Sequence, residues 1–103
     1  MQKKGEWNIN KLIERCHSIA KQKGWWDSER NDGELIALMH SELSEALEVM
    51  RNHGTKDNLS EELADCCIRI FDYCGARGID LEEALLKKIE YNTNRPYRHG
   101  KKF

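Results

Sequence analysis

Two short segments of the chain combine acidic residues three positions apart with apolar neighbours. Residues 41–48 read SELSEALE and residues 61–65 read EELAD. Side chains at i and i+3 share one face of a helix, so Glu42 projects with Glu45. Glu62 projects with Asp65 in the same way. Oxygen ligands alone favour Mg²⁺, Mn²⁺ or Ca²⁺ over zinc. The pattern therefore indicates a carboxylate cage for a divalent cation, and the alternative interpretation is two solvated helix faces.

A second group of polar residues lies toward the C-terminus, in the segment KIEYNTNRPYRHGKKF. Lys88 and Asn92 are four positions apart and share a helix face, and Arg95 follows them. Metal-held carboxylates together with lysine, arginine and asparagine side chains are what the binding of a polyphosphate requires. Taken alone, the same segment is also typical of a solvated basic terminus.

Helix signals occupy most of the chain, and strand signals are almost absent. We predict four helices, over residues 9–21, about 33–50, 58–77 and about 81–94. Asn8 and Asp32 are the expected N-caps of the first and second helices. Asp80 and Glu83 form a plausible capping box at the start of the fourth. The acidic pairs fall on the second and third helices, which a short loop joins and which should therefore pack antiparallel.

The predicted fold is all-α and four-helix bundle-like. Residues 1–103 form a single domain, with a basic, irregular tail from about residue 94 to residue 103. A domain of this size has a free energy of unfolding of about 5–15 kcal/mol. Because the core is modest, self-association would add to the stability of the fold.

The composition argues against several classes of protein. The 103 residues are 34% charged and carry a formal net charge of −1, which speaks against a nucleic-acid polymer or a membrane surface as partner. No apolar run approaches the ~20 residues of a membrane span. The N-terminal segment MQKKGEWNIN lacks the apolar stretch of a signal peptide, so we expect a cytoplasmic protein. The four cysteines include no CxxC pair, which favours reduced, mostly buried thiols.

The order of these motifs resembles that of the MazG-like all-α nucleoside triphosphate pyrophosphohydrolases. That family carries an ExxE motif, a spacer and an ExxD motif on consecutive helices. Here ELSE stands at residues 42–45 and ELAD at residues 62–65. The segment KIEYNTNRP, at residues 88–96, resembles a later Lys…Asn…Arg-Pro motif of the family. The similarity spans roughly residues 34–103.

The resemblance implies a reaction in which a (deoxy)nucleoside triphosphate and water give the monophosphate and pyrophosphate. The biological role would be the removal of non-standard or surplus nucleotides. The implied cofactor is Mg²⁺, with Mn²⁺ as a substitute, and its implied ligands are the four carboxylates Glu42, Glu45, Glu62 and Asp65. Either Glu42 or Glu45 would orient or deprotonate the attacking water.

The resemblance also implies how substrate and subunits come together. Lys88 and Asn92 would contact phosphates, with Arg95 a weaker candidate. Enzymes of this kind assemble as homodimers or homotetramers with sites near the subunit interface. Trp25, in the loop before the second helix, is a candidate to stack on a nucleobase. The alternative is that Trp25 or its neighbour Trp26 packs on the helix ends.

Two other functions fit the sequence less well. A non-catalytic helical dimer would keep the fold and bind a nucleotide or a protein partner, but all four acidic residues of the motif are present. A di-iron carboxylate protein would use an ExxH pair twice. The chain has that pair once, as Glu14 and His17 on the first predicted helix.

Overall fold

Four α-helices follow one another along the chain. In the computed structural model, which describes residues 6–102, they are α1 (Ile9–Gln22), α2 (Asp32–Arg51), α3 (Lys56–Arg77) and α4 (Leu81–Thr93). No strand occurs among those residues, so the all-α prediction is confirmed. The tail beyond α4 is irregular, with a short turn at Tyr97–Gly100 in which Arg98 and His99 have left-handed backbone angles. Residues 1–5 and 103 of the predicted domain lie outside the described residues.

Side-chain caps in the first turn set where α1 and α4 begin. Asn8 Oδ1 accepts a hydrogen bond from the backbone N–H of Lys11 at 2.9 Å. Asp80 Oδ1 accepts one from the backbone N–H of Glu83 at 3.0 Å. Each cap satisfies an N–H that has no partner within its helix, and both caps agree with the sequence-based prediction. The Glu83 side chain pairs with Lys87 at 2.8 Å instead of completing the expected capping box.

The N-terminus of α2 differs from the prediction, because Asn31 is the cap and Asp32 is already helical. Asn31 Oδ1 accepts a hydrogen bond from the backbone N–H of Glu34 at 3.1 Å. The Asp32 carboxylate is then free to accept a 2.7 Å hydrogen bond from Arg77 Nε, at the far end of α3.

The third helix begins at Lys56 rather than at the predicted Asn58. Thr55 Oγ1 accepts a hydrogen bond from the Asn58 N–H at 3.1 Å, and Asn58 Oδ1 accepts one from the Thr55 N–H at 3.2 Å. This reciprocal capping box places the cap at Thr55. Asn58 is therefore a residue of the first helical turn.

The central helix is α3, because it packs against both α1 and α2. The buried hydrophobic residues of the described chain all come from these three helices: Ile13, Leu35, Ala46, Cys66 and Cys74. Gly75 allows α1 and α3 to approach closely, since a Cβ added there would lie 2.7 Å from the Cβ of His17. The α1–α3 contact thus requires a residue without a side chain at this position.

The fourth helix stands apart from this core and packs mainly against α1. Its first turn is tied to α1 by a 3.1 Å hydrogen bond from the Ile9 N–H to Glu82 Oε1. Further along, Leu86 and Ile89 are 64% and 59% exposed. The radius of gyration is 16.2 Å, against about 13 Å for a compact domain of 100 residues. A single chain therefore does not close the four helices into one bundle.

Among the described residues, none of the helices combines the length and apolar character that a membrane span requires. All four cysteines have free thiols. Cys66 and Cys74 are buried and Cys16 is half-buried, as expected, whereas Cys67 is exposed.

Candidate metal centre and adjoining pocket

Three carboxylates meet between α2 and α3. One oxygen atom from each of Glu42, Glu62 and Asp65 lies within 4.8 Å of the other two. Glu42 is buried, Glu62 is half-buried and Asp65 is exposed, so the group extends from the helix interface to the surface. Glu45, the fourth predicted ligand, is not a member of this group but hydrogen-bonds through its side chain to Glu62. We call Glu42, Glu62 and Asp65 the carboxylate cluster.

The negative charges of the carboxylate cluster act most visibly on Glu62. Its pKa is raised from the usual value of 4.5, first by the hydrogen bond to Glu45, then by burial and by the charges of Glu45, Asp65 and Glu42. The Glu62 Oε2 atom is shielded from solvent and has no hydrogen-bond partner among the described residues. Buried polar atoms are almost always paired, so this oxygen marks a place where the described residues supply no donor.

Arg69 supplies one positive charge to the carboxylate cluster. Its Nε atom donates a 2.7 Å hydrogen bond to Glu42 Oε1. Glu42 is 7% exposed, and a buried carboxylate requires a hydrogen-bonded partner of this kind. Arg69 is one turn beyond Asp65 on α3, so the two side chains share a helix face. Glu42 is thus paired with a cation, whereas the partner of Glu62 is the carboxyl group of Glu45.

A pocket of about 240 Å³ adjoins these residues, and both Glu42 and Asp65 line it. Its apolar walls come from Ile19, Ala20, Ile68 and Trp25. Its cations are Lys23, Arg30 and Arg69. Trp25 is 62% exposed, so most of its indole surface is available to a ligand. The pocket therefore combines carboxylates, cations and an aromatic wall, and the base-stacking role of Trp25 stays a prediction.

A hydrogen-bonded triad of side chains from three segments stands beside this pocket. Asp72 of α3 lines the pocket, and its Oδ1 lies 2.8 Å from His17 Nδ1 of α1. Trp26 Nε1, in the α1–α2 loop, donates to Asp72 Oδ1 at 2.9 Å and to Oδ2 at 3.1 Å. The rings of His17 and Trp26 meet edge to face, with centroids 5.5 Å apart. His17 therefore engages its Nδ1 atom in this triad.

Cys16 is the thiol of the pocket lining. Burial raises its pKa, and the nearby negative charge of Asp72 raises it further. Because the thiolate is the nucleophilic form, both effects disfavour nucleophilic reactivity at Cys16.

Arg77 holds the C-terminal end of the loop that carries the two tryptophans. Arg77 of α3 donates from Nη2 to the backbone carbonyl oxygen of Arg30 at 3.0 Å, in addition to its ion pair with Asp32. The Arg30 guanidinium lies 5.5 Å from the Trp26 ring centroid and 5.9 Å from that of Trp25. Trp26 is thus a packed indole and Trp25 an accessible one, which agrees with the expectation that one of the two rings packs structurally.

The predicted phosphate-binding residues lie elsewhere in the single chain. Lys88 and Arg95 flank Tyr91, with their charged groups 4.7 and 5.4 Å from its ring centroid. Asn92 is exposed on the same helix. None of the three lines the pocket beside the carboxylate cluster. One chain therefore brings three of the four predicted carboxylates together, with Glu45 beside Glu62, and does not bring the predicted basic residues to the pocket.

Sequence reasoning missed two residues of this site, Arg69 and Asp72. The signal was present, since Glu62, Asp65, Arg69 and Asp72 follow one another on α3 at steps of three, four and three. Such steps place all four side chains on one helix face. The sequence-based prediction included Glu62 and Asp65 but did not extend the stripe to Arg69 and Asp72.

Comparison with protein-family models, curated proteins and solved structures finds no match for this chain.

Proposed function

We propose that this protein is an Mg²⁺-dependent nucleoside triphosphate pyrophosphohydrolase of the MazG-like kind. It would convert a (deoxy)nucleoside triphosphate and water to the monophosphate and pyrophosphate, and so remove non-standard or surplus nucleotides from the cytoplasmic pool. The observation that carries the proposal is the buried Oε2 atom of Glu62, which has no hydrogen-bond partner among residues 6–102. It belongs to a cluster of three carboxylates that opens into a pocket with an aromatic wall.

The donor set fits a hard divalent cation. Glu42, Glu62 and Asp65 offer carboxylate oxygens within 4.8 Å of one another, and Mg²⁺ and Mn²⁺ prefer oxygen ligands of this kind. The pKa of Glu62 is raised first by its hydrogen bond to Glu45 and by burial, and the charges of Glu45, Asp65 and Glu42 add a repulsion that a cation would relieve. These three residues would hold the cation, with Glu45 at their edge. Bound there, Mg²⁺ would neutralise phosphate oxygens and lower the pKa of the attacking water.

The chemical step forms one bond and breaks one. The water oxygen bonds to the α-phosphorus, the bond from that phosphorus to the α–β bridging oxygen breaks, and pyrophosphate leaves. A carboxylate accepts the proton of the water. Of the two candidates, Glu45 is the better base, because Glu42 is buried and already paired with Arg69. Glu45 is exposed and linked to the carboxylate cluster through Glu62.

Substrate binding would divide between the pocket and the fourth helix. The accessible indole of Trp25 suits a nucleobase, and Arg69 and Lys23 in the same lining suit phosphate or sugar oxygens. Lys88, Asn92 and Arg95 would add phosphate contacts. Because they do not reach the pocket within one chain, we propose that a second copy of the chain supplies them.

Assembly into a homodimer or homotetramer is accordingly part of the proposal. Large apolar side chains stay half-exposed or more on α2, at Leu43, Leu47 and Met50, and on α4, at Leu86 and Ile89. Large exposed apolar side chains grouped on one helix in this way are typical of an interaction surface. A second copy that covers it would also complete the four-helix arrangement and place cations from α4 near a neighbouring site.

The decisive experiment separates pyrophosphate from orthophosphate. The purified protein is incubated with a panel of dNTPs and NTPs, with Mg²⁺ or with EDTA. We expect Mg²⁺-dependent release of pyrophosphate, lost in Glu42→Gln and in Asp65→Asn. Glu48→Gln is the matched control, because Glu48 is exposed on the same helix and should retain activity. If the folded, Mg²⁺-loaded protein hydrolyses none of the nucleotides, the proposed enzymatic function is rejected.

One observation favours the alternative function, a non-catalytic helical dimer that binds a nucleotide or a protein partner. Arg69 already neutralises Glu42, as would suit a site that works without metal. Nucleotide binding that is equal in Mg²⁺ and in EDTA, with no turnover, would support that alternative.

A further inference from the structure

Asp72 is the acidic residue of the pocket that the proposed chemistry does not use. It lies seven residues beyond Asp65 on α3, which is a rise of about 10 Å along the helix. That separation is comparable to the distance that the sugar and base of a nucleotide span beyond its phosphates. A nucleotide whose phosphates lie at the carboxylate cluster would thus place its base at the level of Asp72.

The Asp72 carboxylate is fixed in position from two sides. His17 and the indole N–H of Trp26 both contact Oδ1, at 2.8 and 2.9 Å. The Asp72 side chain is 15% exposed. A carboxylate has two oxygens with about four acceptor positions, and the contacts to Trp26 and His17 concentrate on one oxygen. The only contact to Oδ2 among the described residues is the 3.1 Å one from Trp26 Nε1, whose single hydrogen is shared with Oδ1. The Oδ2 atom can therefore still accept a hydrogen bond from a ligand.

An ionised carboxylate can only accept hydrogen bonds, and this decides which bases suit it. Cytosine, adenine and guanine each carry an exocyclic amino group that donates. Thymine and uracil present a carbonyl oxygen where cytosine has its amino group, and that oxygen would face Asp72 with like partial charge. A pocket wall with a fixed acceptor therefore discriminates by the presence of an amino group.

We propose that Asp72 is a specificity-determining residue that selects nucleotides whose base carries an exocyclic amino group, with Trp26 and His17 as its positioning residues. The proposal rests on the proposed function for the identity of the ligand as a nucleotide. A hydrogen-bond match of this kind discriminates by about ten- to a hundredfold.

Binding without catalysis is the first test. Affinities of the intact protein for dCMP and dUMP are measured by calorimetry in EDTA, so that neither turnover nor metal is needed. The two ligands share sugar and phosphate and differ at the base edge. Deoxyadenosine monophosphate and its analogue without the amino group form a second pair. We expect dCMP and the adenine nucleotide to bind about ten- to a hundredfold more tightly than their partners.

Asp72→Asn gives a readout that a merely structural role would not produce. The amide oxygen can still accept from Trp26 and His17, which turns the amide N–H₂ toward the pocket. The wall becomes a donor, so dUMP should gain affinity while dCMP loses it, and the preference should invert. Asp57→Asn makes the same chemical change at an exposed position of α3 and should leave the preference unchanged.

The outcomes separate this proposal from the enzymatic one. Equal affinity within each pair, including no detectable binding of any of the four ligands, overturns the role of Asp72. A parallel loss of both pyrimidine nucleotides in a folded Asp72→Asn variant also overturns it, since that result would mark a structural residue. Turnover without any preference among bases would reject the role of Asp72 and would still support the proposed hydrolase. Base-selective binding without turnover would support the role of Asp72 and would reject the proposed hydrolase. If Asp72→Asn does not fold, the affinities of the unaltered protein for the two ligand pairs still test whether the pocket selects for an amino group.

Discussion

Arg69 of α3 and Glu42 of α2 are joined by a 2.7 Å hydrogen bond between Nε and Oε1. Glu42 belongs to the carboxylate cluster, and both residues contribute to the pocket lining. Glu42 therefore has a counter-charge before any cation binds. A cation at the cluster would share Glu42 with Arg69 and would act mainly on Glu62, whose buried oxygen has no partner among the described residues.

Removal of this arginine should destabilise the metal-free protein. In Arg69→Met, the buried Glu42 carboxylate loses a charge-assisted hydrogen bond, and we expect the free energy of unfolding to fall by about 1–3 kcal/mol. Urea denaturation in EDTA measures the loss. Addition of Mg²⁺ should then stabilise Arg69→Met more than the unaltered protein, because the cation replaces the missing positive charge.

The matched control is Arg51→Met on α2. Arg51 contacts Glu48 at 3.5 Å, and both side chains are more than half exposed. Exposed pairs contribute little, so the expected change is within about 0.5 kcal/mol. Equal losses in the two variants, or no additional effect of Mg²⁺ in Arg69→Met, would contradict the assignment of Arg69 to the cluster.

The raised pKa of Glu62 predicts how stability depends on pH. The folded protein holds the Glu62 proton at pH values where the unfolded chain has released it. The resulting stabilisation is complete below the usual pKa of 4.5 and is lost as pH rises through the raised value. In EDTA, the free energy of unfolding should therefore fall over this interval, and Mg²⁺ should oppose the fall by binding the ionised cluster.

Two neighbouring substitutions isolate the residue responsible for this pH dependence. Glu62→Gln cannot ionise and should flatten the fall above pH 4.5 in EDTA. Glu61→Gln changes the adjacent, exposed side chain and should preserve it. An unaltered pH profile in Glu62→Gln, measured by urea denaturation at several pH values, would show that Glu62 does not carry the effect.

The sequence was most informative where structure depends on nearby residues. The caps at Asn8 and Asp80 depend on contacts three residues away, and both were predicted. The acidic pairs were also predicted to converge, because a short loop forces α2 and α3 together. The cap of α2 was wrong by one residue, since a partner distant in sequence, Arg77, takes the Asp32 side chain.

Contacts between distant segments were beyond sequence reasoning. Trp26 and Asp72 are 46 positions apart and His17 and Asp72 are 55 apart. Their meeting depends on the axial register of α1 against α3, which close packing at Gly75 sets and no local pattern encodes. The placement of α4 was equally inaccessible, because its apolar positions indicate that the helix buries one face without indicating against which surface.

The exposed apolar face of α4 leads to a prediction about assembly. Leu86 is 64% exposed in the single chain, so Leu86→Glu should leave the fold of the chain intact. The substitution should nevertheless break an oligomer that buries this face, because a carboxylate would enter an apolar interface. Light scattering coupled to size exclusion should show at least a dimer for the unaltered protein and a smaller species for Leu86→Glu.

An aromatic residue of the tail provides the control for assembly. Tyr97 is 90% exposed and lies beyond α4, so Tyr97→Glu should leave the oligomer unchanged. A monomeric unaltered protein at the highest concentration tested would reject the proposed second copy, and with it the supply of Lys88 and Asn92 to a neighbouring site.

The close approach of α1 and α3 at Gly75 links the fold to the pocket. Alanine is the better helix former by about 1 kcal/mol, so Gly75→Ala would stabilise an isolated helix. Here the added Cβ would lie 2.7 Å from the Cβ of His17, and such overpacking costs about 1–3 kcal/mol. We expect a net loss of stability and a displaced His17 ring.

The ring nitrogen chemical shifts of His17 should change in Gly75→Ala. They should stay constant in Gly78→Ala, where no atom lies within 4 Å of the added Cβ and only the positive φ of +67° opposes the substitution. Unchanged His17 shifts in a destabilised Gly75→Ala variant would mean that α3 moves as a whole and that the pocket does not depend on this contact.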